Sequence, residues 1–193
     1  MLDRLPRPAG KLTLPDMSLT LTRWPDMPAA PDPGEVAVIR IRLDAPRVTL
    51  RQVARDCALR ILRGWGHASA SLDETTTGPK LTGCGVMALS LAYTTNDAWL
   101  ALARSHSLGI DATIIKDFAE RDEVARTYLG PSSTVIASSD VPAAAFAAAW
   151  SRHEATLKYH RLPLTEWRPG LPKAPRHLSV READIALSVV LDR

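Results

Sequence analysis

Two cysteines, Cys57 and Cys84, are all that a chain of 193 residues contains. Their spacing matches no metal-ligand pattern. Cys57 falls on an apolar helical face and Cys84 is flanked by glycines, so reduced thiols of a cytoplasmic protein are expected and a disulfide is not. No apolar run is long enough to span a membrane. The N-terminus is rich in proline and charge but lacks an apolar signal core, so secretion is not expected. Net charge is scarce as well. Lys and Arg total 24 and Asp and Glu 21, leaving +3, too little to argue for a nucleic-acid partner.

What is present suits one globular domain of generous size, or two small halves sharing a core: 46% of residues are hydrophobic and 23% charged. The charge is unevenly placed. Arg47 to Arg63 holds five arginines against one acid, Asp56. That local surplus exceeds the surplus of the whole chain and points to an anionic ligand or an acidic partner.

Seven of the fifteen prolines lie in the first 34 residues, which predicts a loose arm around one strand, Met17 to Trp24. Glu35 to Leu43 alternates as a strand. Thr49 is read as the N-cap of a helix reaching Arg63, with Leu50, Val53, Ala54, Cys57, Ala58, Ile61 and Leu62 as its buried stripe. Arg51 and Arg55 share one exposed face of that helix, and either a solvated surface or a phosphate contact explains them. Ser69 to Gly85 reads as a polar loop with a turn at Gly78-Pro79-Lys80, either a ligand loop or a plain connection.

Val86 to Thr94 and Trp99 to Ala103 read as strands around a turn at Asn96-Asp97. In the next strand, Leu108 to Ile115, residues 108, 110, 112 and 114 form an apolar face, so Asp111 and Thr113 point the other way. An acid in mid-strand is disfavoured by strand propensity; a capping bond, an ion pair or a metal each accounts for it. Asp117 to Leu129 reads as a helix ended by Gly130-Pro131. Val141 to His160 is a second helix, with Phe146, Ala149, Trp150, His153 and Leu157 on one apolar face. Glu154, Lys158 and Arg161 form a charged stripe beside that face. Taken alone, Glu154 and Lys158 are either a helix-stabilising pair or part of a site. Arg161 to Pro175 is a Pro-rich connection, and His177 to Arg181 with Ile185 to Leu191 form a closing hairpin.

The order Leu108-Gly109-Ile110-Asp111, then Trp150-Ser151-Arg152-His153-Glu154-Ala155-Thr156-Leu157-Lys158, resembles the 4′-phosphopantetheinyl transferase superfamily. Its members carry a Gly-(Ile/Val)-Asp-x-Glu strand and then Trp-x-x-Lys-Glu-Ala-x-x-Lys on a helix. Leu89-Ser90-Leu91-Ala92-Tyr93-Thr94 is similar to its Ser-Leu-Ser-His-Ser strand, and Gly78-Pro79-Lys80-Leu81 to its Gly-Lys-Pro turn. The resemblance covers roughly residues 47 to 160.

It implies an α+β fold of two similar lobes, each a small antiparallel sheet packed with one or two helices, divided as residues 1–105 and 106–193, and acting as a monomer. It implies transfer of the phosphopantetheine arm of coenzyme A to a serine of an acyl or peptidyl carrier protein, with release of 3′,5′-ADP. Asp111 and Glu154 would hold Mg²⁺, with Thr113 beside them. Glu154 and Lys158 would be catalytic, the first taking the serine proton itself or through a water it orients and the second steadying phosphate charge. Arg47, Arg51, Arg55, Lys80, Ser90, Tyr93 and Lys158 would bind coenzyme A. The chain departs from the family at three places: Thr113 replaces a carboxylate, Tyr93 a histidine and His153 a lysine. Those departures keep a second reading open, a member that binds coenzyme A or a carrier protein without catalysis.

Overall fold

The computed structural model describes residues 11–14 and 17–192. Of the expected loose arm, residues 1–34, positions 1–10 and 15–16 lie outside that range, and Lys11–Leu14 is a strand where none was expected. Strands β1 (Lys11–Leu14), β2 (Met17–Arg23) and β3 (Glu35–Arg42) lead to helix α1 (Arg47–Gly64). A hairpin of β4 (Ser71–Thr75) and β5 (Gly78–Thr82) follows, then β6 (Ala88–Tyr93) and β7 (Asp97–Ala103). The second half runs β8 (Leu108–Ile114), α2 (Arg121–Leu129), α3 (Ser132–Ala137), α4 (Pro142–Tyr159), β9 (Arg176–Glu182) and β10 (Ile185–Leu191).

The strands form a five-stranded sheet ordered β1-β2-β3-β7-β6 and a three-stranded sheet ordered β8-β10-β9. The two halves share a topology. In each, a strand leads to the main helix, and a hairpin then returns so that its second strand pairs antiparallel with the first. The pairing Val36 to Arg42 with Ala103 to Asp97 matches Leu108 to Ile114 with Leu191 to Ile185, position for position. By that register Asp111 corresponds to Ile39.

The fold is thus α+β with small sheets, as the resemblance implied, with one correction. β2 runs parallel to β3, so the first sheet is mixed. A parallel neighbour is reached because residues 24–34 carry the chain back along the sheet, a crossover that the prolines there do not forbid.

The core has two main parts. α1 lays Leu50, Ala54, Ala58, Ile61 and Leu62 on Ala37, Ile39, Ile41, Leu100 and Leu102. The other face of that sheet, with Leu19, Val36, Val38 and Trp99, meets Ile110, Leu187, Val189 and Leu191 of the second sheet. α4 covers the far side of the second sheet, which gives four layers. Because both faces of β8 are covered, Asp111 points away from the inter-sheet core, as its alternation required, yet lies beneath α4 at only 6% exposure.

The face that α4 presents is not the one expected. Ala147, Ser151 and Ala155 are buried, and α4 contacts β8 and β10. Phe146 and Trp150 turn sideways to Phe118 and Tyr128 of the α2 region. Small residues win the sheet side because the helix comes very close. A Cβ built on Gly109 would stand 1.9 Å from the carbonyl oxygen of Ala155. Only glycine fits there.

Other boundaries differ too. α1 begins at Arg47 with Pro46 as its N-cap, and no side chain caps it. Fixed φ at Pro46 starts the helix without the Thr49 hydroxyl. The helix expected from Asp117 begins at Arg121, because the Asp117 carboxylate accepts from the Phe118 N–H at 3.0 Å and from Arg121 at 2.6 Å. At the end of the sheets farthest from the 104–107 linker, Arg40 makes two bonds to Asp97 and one to Glu182, all at 2.9 Å, joining the halves. Cys57 and Cys84 are buried and form no disulfide.

Candidate functional site

A cleft of about 670 Å³ opens between the two halves. One wall is α1 with the β4–β5 hairpin, and the other is the end of α4 over β8.

The first wall is basic. Arg47, Arg51 and Arg55 follow one another at helical spacing, along one edge of the buried stripe, and all line the cleft. Arg47 and Arg51 stand 5.6 and 5.8 Å from the Tyr93 ring centre, within cation–π range. Among the described residues no carboxylate lies within ion-pair distance of Arg47, Arg51 or Lys80. Arg55 differs: it is held by Glu74 through Nε–Oε1 at 2.7 Å and Nη2–Oε2 at 3.0 Å. The Tyr93 hydroxyl is buried, with no hydrogen-bond partner among the described residues. Burial pushes its pKa up, so it enters chemistry as a neutral donor.

The segment 69–85 differs from its expected form. It is a hairpin, not a loop, and Gly78-Pro79-Lys80 is strand β5, with the turn at residues 76–77. Gly78 sits at φ +111°, a conformation glycine supplies as β5 leaves the turn.

The second wall carries the carboxylates. Lys158 Nζ donates to Asp111 Oδ1 at 2.7 Å and to the Ile110 carbonyl at 3.1 Å. It lies 4.0 Å from Glu154 Oε2. Thr113 Oγ1 donates to Asp111 Oδ2 at 3.1 Å and does not line the cleft; it meets the site only through Asp111. The Glu154 carboxyl is pushed up to about 7, first by burial and then by the neighbouring Asp111 carboxylate, against the opposing pull of Lys158. Two carboxylates thus share one ammonium.

Ser90 Oγ accepts the Ile110 N–H at 3.1 Å, tying β6 to β8. It lines the cleft, but its oxygen is engaged. His153 is half-buried beside Trp150, outside the cleft. Burial lowers its pKa. It packs, as its place on the apolar stripe suggested.

A further cluster has no counterpart in the motifs. Asp192 Oδ2 accepts from Ser105 Oγ at 2.6 Å and from the His106 and Ser107 N–H groups at 2.9 and 3.1 Å. Its other oxygen accepts from the Tyr159 hydroxyl. These bonds pin the linker between the halves against the last turn of α4. Nothing local in the sequence joins position 192 to 105, so no pattern could have revealed it. Glu74 was hidden for the same reason: its partner Arg55 is distant in sequence.

Every residue expected to bind coenzyme A or to act in catalysis lines this one cleft, and so does Asp111; Thr113 alone does not. Among the described residues no group of three or more His, Cys, Asp and Glu side chains forms a metal cluster; the carboxylates on the second wall are Asp111 and Glu154. Burial first, and the second carboxylate next, raise the Glu154 pKa, and one ammonium serves both carboxylates. That suits a hard divalent cation taking one or two protein carboxylates and completing its shell with ligand oxygens. No helix among the described residues is long and apolar enough to cross a membrane. No protein-family model matches the chain, and no curated protein matches it at a significant level.

Proposed function

We propose that the protein transfers the 4′-phosphopantetheine arm of coenzyme A to a serine of an acyl or peptidyl carrier protein and releases 3′,5′-ADP. The observation that carries this reading is the cleft itself. Residues from four separated stretches, singled out by their motifs, converge there with arginines on one wall and two carboxylates on the other.

The chemistry divides between the walls. Arg47, Arg51 and Lys80, which no described carboxylate pairs, offer positive charge to the phosphates of the nucleotide. Tyr93 offers a hydroxyl that no described residue engages. Asp111 and Glu154 are the residues that would hold Mg²⁺, which when bound neutralises the pyrophosphate linkage. Glu154, or a water that it orients, would take the proton from the carrier serine. The serine oxygen forms a bond to the phosphorus of the pantetheine phosphate. The bond from that phosphorus to the bridging oxygen breaks, and 3′,5′-ADP leaves with the electron pair. Lys158 holds Asp111 in place and stands beside the charge that develops. The family's usual action in the cytoplasm on carrier proteins of fatty-acid or polyketide synthesis belongs to the same proposal.

One observation favours a second reading, a member that binds without transfer: Lys158 already occupies the Asp111 oxygen that a metal would use. Release of 3′,5′-ADP separates the two. Incubated with coenzyme A, Mg²⁺ and an apo carrier protein, the transferase produces 3′,5′-ADP only when the acceptor serine is present. Binding of coenzyme A with no release from any carrier would establish the second reading.

A further inference from the structure

The basic wall of the cleft is already partly occupied by the protein itself. Glu74 lies on the Arg55 guanidinium in the two-bond arrangement that this planar fork also makes with phosphate oxygens. The two partners are held unequally. Arg55 is 21% exposed and braced by its own helix, with Nη1 donating to the Arg51 carbonyl at 3.1 Å. Glu74 is 62% exposed, on a hairpin whose strand β4 is exposed at Ser71, Asp73, Glu74 and Thr75. The cation is fixed and the anion is replaceable.

We infer that Glu74 is an internal occupant of a phosphate-monoester subsite on Arg55, a competitor that the ligand displaces. The inference rests on the coenzyme A reading and deepens it, assigning the subsite to the terminal 3′-phosphate. A phosphate monoester near neutral pH carries close to two charges on three acceptor oxygens, so it displaces a carboxylate from a guanidinium. A diester phosphate, with a single charge, does not.

The test is calorimetric titration of the full chain and of Glu74→Gln with coenzyme A and with 3′-dephospho-coenzyme A, which lacks the monoester. Gln keeps the length of the side chain and one hydrogen bond to Arg55, so the hairpin stays in place. Removing the competitor tightens coenzyme A binding by about fivefold, the scale of a partly exposed ion pair, and leaves 3′-dephospho-coenzyme A unchanged. Tighter binding of both ligands would reduce Glu74 to a general negative charge and overturn the inference. Weaker binding of both would make it a hairpin anchor and overturn the inference equally. If the wild-type chain binds neither ligand, the coenzyme A reading fails and takes this one with it. Binding that Glu74→Gln leaves unaltered defeats the inference alone.

Discussion

Lys158 and Asp111 form an ion pair at 2.7 Å between the last turn of α4 and the middle of β8, with side chains 29% and 9% exposed. The pair explains both the acid in a strand and the lysine on a helix rim. It also makes each dependent on the other. Asp111→Ala leaves a half-buried ammonium with only the Ile110 carbonyl and a distant Glu154, and should cost about 1–3 kcal/mol of stability. The double variant Asp111→Ala with Lys158→Ala should be less destabilised than the sum of the singles, because neither charge is then stranded. Denaturant unfolding of the four proteins checks this, and additive losses would show that the pair is not coupled. On the proposed function, transfer should be lost in both variants that lack Asp111.

Glu154 makes the stability of the metal-free protein depend on pH. Its folded pKa, about 7, lies above the ordinary carboxylate value of 4.5. Between those values the folded protein holds a proton that the unfolded chain has released. Stability from this group is therefore present at low pH and falls as pH rises through about 7. Glu154→Gln should flatten the stability slope and abolish the rate. Adding Mg²⁺ should also flatten the slope, since the cation offsets the charge. Thermal unfolding from pH 5 to 8, with and without Mg²⁺, gives the comparison.

Gly109→Ala would place a methyl group 1.9 Å from the Ala155 carbonyl oxygen. Backbone cannot yield as a side-chain tip can, so α4 must lift from β8. A loss of about 3 kcal/mol is expected, with coenzyme A transfer lost alongside. A variant of wild-type stability would mean that the helix is less closely seated than described.

Ser90 and Tyr93, both on β6, should respond oppositely to removal of their hydroxyls. Ser90→Ala strands the buried Ile110 N–H and should destabilise by about 1–3 kcal/mol while leaving coenzyme A affinity intact. Tyr93→Phe removes a hydroxyl that no described residue engages, so stability should hold or rise by about 1 kcal/mol. Its coenzyme A affinity should fall, because the phosphate loses a donor. Unfolding curves and calorimetry on both variants distinguish the stitch from the ligand contact.

The sequence was most informative where one face of an element meets the core. Alternation located β3 and β8 and set Asp111 and Thr113 apart from Ile110, because a strand covered on its apolar face has only one acceptable register. The stripe of α1 emerged in the same way. Pattern failed where burial does not dictate residue type. The β4–β5 hairpin is mostly exposed and polar, so its strands carry no alternation. On α4 the large apolar residues drew attention to Phe146 and Trp150, whereas close approach to the sheet selects Ala147, Ser151 and Ala155. The expected site residues that line the cleft were singled out by motif and by the clustering of arginines. Their pairings, Glu74 with Arg55 and Asp192 with Tyr159, were not, because such contacts join residues far apart in sequence and follow only from the packed fold.

The central claim is that the carboxylate wall performs phosphopantetheine transfer. Intact-mass measurement of apo carrier proteins, incubated with coenzyme A, Mg²⁺ and either the wild-type chain or Glu154→Gln, tests it most directly. The account predicts that the wild-type chain adds the mass of one phosphopantetheine arm to at least one carrier, at its acceptor serine, and that Glu154→Gln adds none. Transfer by Glu154→Gln at the wild-type rate would contradict it.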